Sequence, residues 1–483
     1  MNPEDISILM QECAEKDFDF AEAFLEETDE IQIPFQNGIS SGAAAASRQG
    51  TGLHLFRGSR SAYLYTNQNS LSEIRRLLSL GREILSDSPI TGSLQRIISQ
   101  TPVINPCPVL TYPSEVAVSD KIRILRDMDL SARSASSLLR SLSLNYFDTD
   151  QRITVIGSDG TFAQDRRVST RIRILPVLSS QTESLAASQM SSQAGSSSEK
   201  KIGYFTDFTR SCGFEAYRDG AQNEFVQTLI RQMERMLYAS PAPSGRMPVV
   251  FDAGSCAGTF FHEALGHALE SAGLSNSPLA GMLGQQIASE AVTVIDDGTM
   301  PGMYGSSCFD DEGFPRQKNI LVEKGILKGY LTDRLGSLQY QLPRTGSGRR
   351  QNYTFAPASR MSNTYVAPVL PASEAENPDE EMIRSIPLGL LVTQVGGGES
   401  GRSFSLSAQE AFLIKNGQID RQVSGAILAG DLKETLMKID RVGSRLVLED
   451  GGAFCGASSG LVPTTTSGAR IRVSELSVGG TGA

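Results

Sequence analysis

The chain has 483 residues, 40% of them hydrophobic and 20% charged, an ordinary globular composition that excludes a fibrous or largely disordered protein. Its length exceeds the roughly 250–300 residues at which one hydrophobic core stops growing, so at least two domains are expected. A net charge of −10, with no sustained basic stretch interleaved with aromatics, argues against nucleic acid as a partner.

In chain order, residues 4–16 carry a helical periodicity, and short apolar strands follow at 52–56 and 61–65. Residues 70–86 then read as an amphipathic helix. A proline-rich passage at 102–113 marks a break near 100–118. Beyond it, a helical segment at 120–140 and strand candidates at 152–157 and 170–176 suggest a second small α/β unit. The stretch 179–198, rich in Ser, Gln and Ala, has little to bury and reads as a loop or linker. A further helix at 222–237 ends in Pro241-Ala242-Pro243-Ser244-Gly245, the strongest candidate boundary in the chain. Residues 1–240 are thus expected to form an N-terminal α/β region, possibly in two units, and residues 246–483 a β-rich C-terminal domain. Within the latter, Lys324-Gly325, Asn416-Gly417 and Asp450-Gly451 sit beside apolar runs as hairpin turns do. One long helix is expected to start near Ser255, after an apolar strand at 248–251.

No segment reaches the ~20 apolar residues of a transmembrane helix, and the acidic start does not resemble a secretory signal. Six cysteines spread from Cys13 to Cys455 without a CxxC pair fit a reducing compartment. No membrane partner and a cytoplasmic location are therefore expected.

Chemistry concentrates at one place. Only three histidines occur, and two of them stand five residues apart with a glutamate beside the first: His262-Glu263-Ala264-Leu265-Gly266-His267. Such a pair suggests a zinc site in which Glu263 activates the attacking water. The spacing is awkward, because residues five apart in a regular helix diverge by about 140° at ~100° per residue. Both rings can face one ion only if the helix bulges, bends or unwinds before His267, and Gly266 suits such a distortion. A catalytic zinc usually takes three protein ligands and a water. His54 lies in an apolar strand, which leaves Glu270 and Cys455 as candidates for the third position, Glu270 also as a carboxylate orienting an imidazole. Residue spacing alone does not choose between them, and an ordinary buried thiol is the bland reading of Cys455.

Weaker signals remain. Gly396-Gly397-Gly398 lacks the Lys-Ser or Lys-Thr of a phosphate loop and reads as a flexible turn. The arginines of Thr345-Gly346-Ser347-Gly348-Arg349-Arg350 read as a solvated or structural loop ahead of substrate-carboxylate recognition. Asp296-Asp297 and Asp310-Asp311 lack calcium-loop spacing and read as turns. Two rival functions stand beside a metallopeptidase: a cysteine hydrolase with Cys455 as nucleophile, and a non-catalytic peptide-binding subunit with a structural metal.

The same residues, with others downstream, resemble the TldD/PmbA family of metallopeptidases. The resemblance runs through Val294–Thr299, Asp310-Asp311-Glu312-Gly313, Gly325–Tyr330, Thr345–Arg350, Arg360–Tyr365, Gly396-Gly397-Gly398, Asp450–Gly456 and Leu476–Thr481, in that order. It is weaker before Gly245. It implies an α+β fold: an N-terminal α/β region and a C-terminal domain built on a large, strongly bent, mostly antiparallel sheet carrying the metal-binding helix. It further implies Zn2+ held by His262, His267 and Cys455, with Glu263 as general base. The implied activity is hydrolysis of unfolded or short peptides and processing of peptide precursors. The implied assembly is a homodimer, or a heterodimer with a related TldE/PmbA-type subunit lacking the metal motif. Residues 457–460 and the Ser-rich stretch near 191–198 depart from the family's usual forms, which bears on substrate preference.

Overall fold

The computed structural model describes residues 3–90, 105–180, 200–370, 378–399, 401–449 and 451–480. Helix α1 (Pro3–Lys16) leads into β1 (Phe20–Gln36), β2 (Ala44–Arg57) and β3 (Arg60–Thr66). Helix α2 (Leu71–Ile84) begins where the Ser70 hydroxyl accepts a hydrogen bond from the Glu73 N–H, satisfying one orphan donor of the first turn. Helix α3 (Val118–Ala135) then precedes a long hairpin, β4 (Leu139–Gly157) and β5 (Phe162–Ser179), and helix α4 (Ala221–Leu237) closes this half.

The five strands form one antiparallel sheet in the order β3-β2-β1-β4-β5. Alternation decides what each face does. Ala23, Ile33, Tyr146 and Ile156 face the four helices, with Ile74 and Leu77 of α2 at one end and Met128 and Ile230 of α3 and α4 at the other. Phe24, Ile153 and Val155 face the opposite way and pack on Phe309 and Tyr353 of the C-terminal half.

The strands expected at 152–157 and 170–176 prove to be ends of a hairpin whose arms are 19 and 18 residues long. Apolar patterning does not mark its middle, because Asp148 and Asp150 occupy buried positions there. They are satisfied by Lys121 Nζ and Arg166 Nη2, each at 2.6 Å. Residues 181–199, and with them most of the expected loop at 179–198, lie outside the described residues.

In the second half, β6 (Gly245–Phe251) leads to helix α5 (Ser255–Ala264), which has ten residues and is not the long helix expected. A small sheet follows from β7 (Val294–Asp297), β8 (Lys318–Glu323) and β9 (Asn363–Val366). Then come β10 (Leu388–Glu399), β11 (Ser403–Lys415), β12 (Gln418–Ser424), β13 (Ala426–Asp431), β14 (Ala453–Ala457), β15 (Gly460–Gly468) and β16 (Ile471–Gly479). The larger sheet runs β10-β6-β16-β13-β11-β12 and bends so far that β10 also pairs with β11. The smaller runs β8-β7-β9-β15-β14. Most neighbours are antiparallel, so the class is α+β, with α5 buried against both sheets.

Hairpin turns fall at Lys324-Gly325 (φ 47° and 78°) and Asn416-Gly417 (φ 52° and 74°), where both central residues take the left-handed conformation such turns need. The third expected turn includes Asp450, outside the described residues. Gly396-Gly397-Gly398 lies within β10 and is not a turn: Gly398 has no room for a side chain because a Cβ would press on the Ser405 carbonyl of β11. Asp296-Asp297 end β7 instead of forming a turn. Asp296 is fully buried and accepts from Ser362 N at 2.7 Å and Thr364 Oγ1 at 2.9 Å. Among the described residues no helix is long and apolar enough to cross a membrane.

Candidate metal centre

Helix α5 is placed by close packing. Phe260 stacks on Phe251 of β6, ring centroids 4.6 Å apart, and meets Phe404 of β11 edge-on at 5.6 Å. On its other side Gly258 lies against β15, where a Cβ would stand 2.6 Å from the Ser467 carbonyl oxygen. The neighbouring Thr259 and Thr466 hydroxyls are 3.1 Å apart. Residues four apart share a helix face, so the contact at Gly258 sets His262 over the same sheet, whose outer strand β14 carries Cys455.

The regular helix stops at Ala264. Leu265 (φ −120°, ψ −45°) leaves helical geometry, and residues Gly266–Leu269 form a tight 3₁₀ turn carrying His267. This unwinding undoes the five-residue divergence: the two rings lie 5.0 Å apart between centroids, at 82° to one another. Gly266 is needed for space, since a Cβ there would run into Met361 Sδ.

His262 Nε2 lies 3.2 Å from Cys455 Sγ, and His267 Nε2 lies 3.4 Å from it. One donor atom from each residue falls within 4.8 Å of the others, and no other such group of three occurs among the described residues. A tetrahedral zinc with nitrogen at ~2.0–2.1 Å and sulfur at ~2.3 Å has an N–S edge of about 3.5 Å, close to both separations. The donor set therefore fits zinc, and two imidazoles with a thiolate favour it chemically. His54, buried in β2 against Phe56 and Tyr63, is not part of the cluster.

Electrostatics separates the two imidazoles. Burial, with help from His267 and Arg360, pulls the His262 pKa down to about 3, leaving a neutral ring with a free lone pair; its Nδ1 is buried without a partner. For His267 burial also disfavours the cation, but Cys455 and Glu270 together outweigh it and raise the pKa to about 10. A metal cation would take the place of the positive charge that Cys455 and Glu270 favour on His267. Glu263 is half-buried and its carboxylate makes no hydrogen bond with the described residues; burial raises its pKa, against a smaller opposing pull from His267.

Glu270 does not join the donors. Its Oε2 lies 3.1 Å from His267 Nδ1, so it orients the imidazole from behind, while Oε1 accepts from Met361 N at 3.2 Å. Arg360 is 1% exposed and its Nε stands 3.5 Å from Glu270. Its Nη1 donates to Ser459 Oγ at 3.2 Å, in the turn joining β14 to β15, and to the Gly460 carbonyl at 3.0 Å, at the start of β15. One guanidinium thus ties the carboxylate behind His267 to the hairpin that carries Cys455. Nothing in the local pattern announces this, because the partners lie about a hundred residues apart.

Residues 244–480 match the model of the PmbA/TldA metallopeptidase C-terminal domain and residues 111–237 that of the central domain, so the class is that of the metallopeptidases. A metalloprotease TldD homolog of Haemophilus influenzae is 29% identical over 480 residues, covering 96% of this chain and 94% of that one. A metalloprotease of Methanothermobacter thermautotrophicus is 32% identical over 418 residues, covering 83% of this chain and 84% of its own. The crystal structure of TldE from Thermococcus kodakarensis shares the fold, with a TM-score of 0.68 at 19% identity and coverage of 98% and 99%. The chain belongs to the TldD/PmbA family.

Proposed function

We propose that this chain is a zinc-dependent endopeptidase acting on unfolded or short peptides, including peptide precursors. The observation that carries the reading is the convergence of His262, His267 and Cys455 from segments almost two hundred residues apart, with the unpartnered carboxylate of Glu263 adjoining the first of them. Zinc held by these three side chains supplies Lewis-acid activation of water and of the scissile carbonyl. Glu263 takes the proton of the attacking water on a carboxylate oxygen and delivers it to the leaving nitrogen; its raised pKa suits both halves of that transfer. Glu270 holds His267 in the tautomer that leaves Nε2 free to bind.

The fold shared with TldE supports a working assembly of two related subunits, either two copies of this chain or this chain with a TldE/PmbA-type partner. None of the six cysteines, all of them among the described residues, is joined in a disulfide, which supports a cytoplasmic location.

The test is metal analysis together with hydrolysis of unstructured peptides by purified protein, alone and with any co-purifying partner. Glu263→Gln is expected to lower turnover about 10²–10⁴-fold while metal content stays unchanged. Chelation is expected to abolish activity and zinc to restore it. Activity that survives chelation but not thiol alkylation would instead establish Cys455 as a nucleophile. Unchanged activity in Glu263→Gln would leave the metal a structural role only.

A further inference from the structure

Behind the β14–β15 hairpin lies a cavity of about 470 Å³, walled on one side by the face of the N-terminal sheet that carries Phe147, Arg167 and Arg171. The hairpin contributes Phe454, Leu461 and Pro463. Phe454 and Cys455 are consecutive in a strand and project to opposite faces, so the cavity and the donor cluster lie on the two sides of one strand. That strand, β14, is the outermost of its sheet, and an extended chain passing its edge can reach both.

The cavity wall is heavily charged, but nearly all of the charge is neutralised. Its other five arginines and its four carboxylates each have an opposite charge within 4.0 Å. Arg349 is the exception among the described residues. It is 9% exposed, and the one hydrogen bond its side chain makes among the described residues runs from Nη1 to the Met361 carbonyl at 2.6 Å. The adjacent Arg350 makes the contrast: it reaches Glu22 at 2.8 Å and the Asp311 carbonyl at 2.6 Å, and is consumed in holding the two halves together. Burial and the neighbouring Arg316 pull the Arg349 pKa down to about 9, with Asp311 opposing only in part. A buried cation without a counter-charge is costly, and one that borders a cavity is poised to receive an anion.

We propose that this cavity is a substrate subsite for a carboxylate, bound by the Arg349 guanidinium. An acidic side chain and a peptide's C-terminal carboxylate share the required chemistry. A guanidinium fork takes either in two parallel hydrogen bonds. The stack of Phe147, Arg171 and Phe454, with ring centroids 4.5 Å and 4.9 Å from the guanidinium carbon, offers flat walls for the rest of the segment. The peptide nature of the ligand rests on the peptidase reading above.

The test is equilibrium binding of N-terminally dansylated, unstructured peptides to the full-length Glu263→Gln protein, so that binding is read without cleavage. Three versions of one neutral sequence are compared: amidated, free acid, and amidated with one internal glutamate. At least one carboxylate-bearing version is expected to bind about tenfold more tightly than the neutral amide, and which one does so identifies the source of the carboxylate. Arg349→Gln is expected to erase that preference while leaving neutral-amide binding within twofold, and Arg349→Lys to restore part of it. A preference that persists in Arg349→Gln, or none at all in the protein with Arg349 intact, overturns the proposal. The second comparison needs no substitution at Arg349 and decides the matter even if those variants fold poorly. Carboxylate preference without any hydrolysis by the wild-type protein would sink the peptidase reading and leave this one standing; hydrolysis without the preference would do the reverse.

Discussion

Glu270 shows how much of the candidate centre depends on residues outside the proposed donor set. With one carboxylate oxygen behind His267 and the other held by Met361 N, it fixes the direction of one proposed ligand. Glu270→Ala is therefore expected to weaken metal binding about 10–100-fold, the range found for outer-shell partners, as read by competition with a chromogenic chelator. Arg360→Met is expected to move the same constant in the same direction, because it releases both Glu270 and the turn at Ser459-Gly460. A metal affinity unchanged in both variants would show that the packing of α5 and β14 suffices. At this scale the sequence was legible in part. The histidine pair and Gly266 were enough to expect a bulge, a bend or an unwound turn before His267, but residue spacing left Cys455 and Glu270 as open alternatives. What separates them is a fold-dependent contact: Cys455 enters on a hairpin, whereas Glu270 follows a 3₁₀ turn that aims it at the back of a ring.

Elements carry the next level of constraint, and Gly258 of α5 tests it. In an exposed helix Gly→Ala stabilises by up to about 1 kcal/mol, because alanine loses less conformational freedom. Here the added carbon meets the Ser467 backbone, which cannot rotate away as a side chain could. Overpacking against backbone costs about 1–3 kcal/mol and outweighs the propensity gain, so Gly258→Ala is expected to lower the melting temperature. It is also expected to weaken metal binding, since any shift of α5 away from β15 separates His262 from Cys455. A more stable variant with unchanged metal affinity would show that helix and strand are not in rigid contact. The length of α5 was misjudged for a related reason. The local pattern called for a distortion before His267 but did not show that the regular turns stop at Ala264, where Met361 packs against Gly266 and leaves no room for a Cβ. The apolar periodicities of α1, α2 and α4 were legible because each helix lays one continuous stripe on the sheet. The middle of the β4–β5 hairpin was hidden because its inward positions include carboxylates whose partners come from other elements.

At the scale of the whole molecule, the two halves meet through buried charge. Arg350 reaches from the C-terminal half to Glu22 of β1, Arg334 reaches Asp159 at 3.0 Å, and Arg167 pairs with Asp311. The sequence displays these residues, and even the acidic run Asp310-Asp311-Glu312, but not their pairing across 144 to 328 positions. Burial dominates at Glu22 and, despite Arg350, pushes its pKa up to about 7. In the unfolded chain a glutamate titrates near 4.3, so between about pH 4.3 and 7 the native state holds a proton that the unfolded state has released. The stability Glu22 contributes is therefore present in full below the unfolded pKa and is lost as pH rises through the folded one. Asp159 and Asp311 are shifted downward and run the opposite way, so the overall profile mixes signs, and only a difference between proteins isolates Glu22. Glu22→Gln mimics the protonated acid and does not titrate. Against wild type in paired denaturant melts, it is expected to be near-neutral at pH 4 and to become the more stable protein by about 1 kcal/mol or more at pH 8. A difference that stays flat, or turns toward wild type as pH rises, would mean that the Arg350 ion pair overcomes the cost of burying the charge, and that the halves are joined by attraction between ions rather than by shared protons.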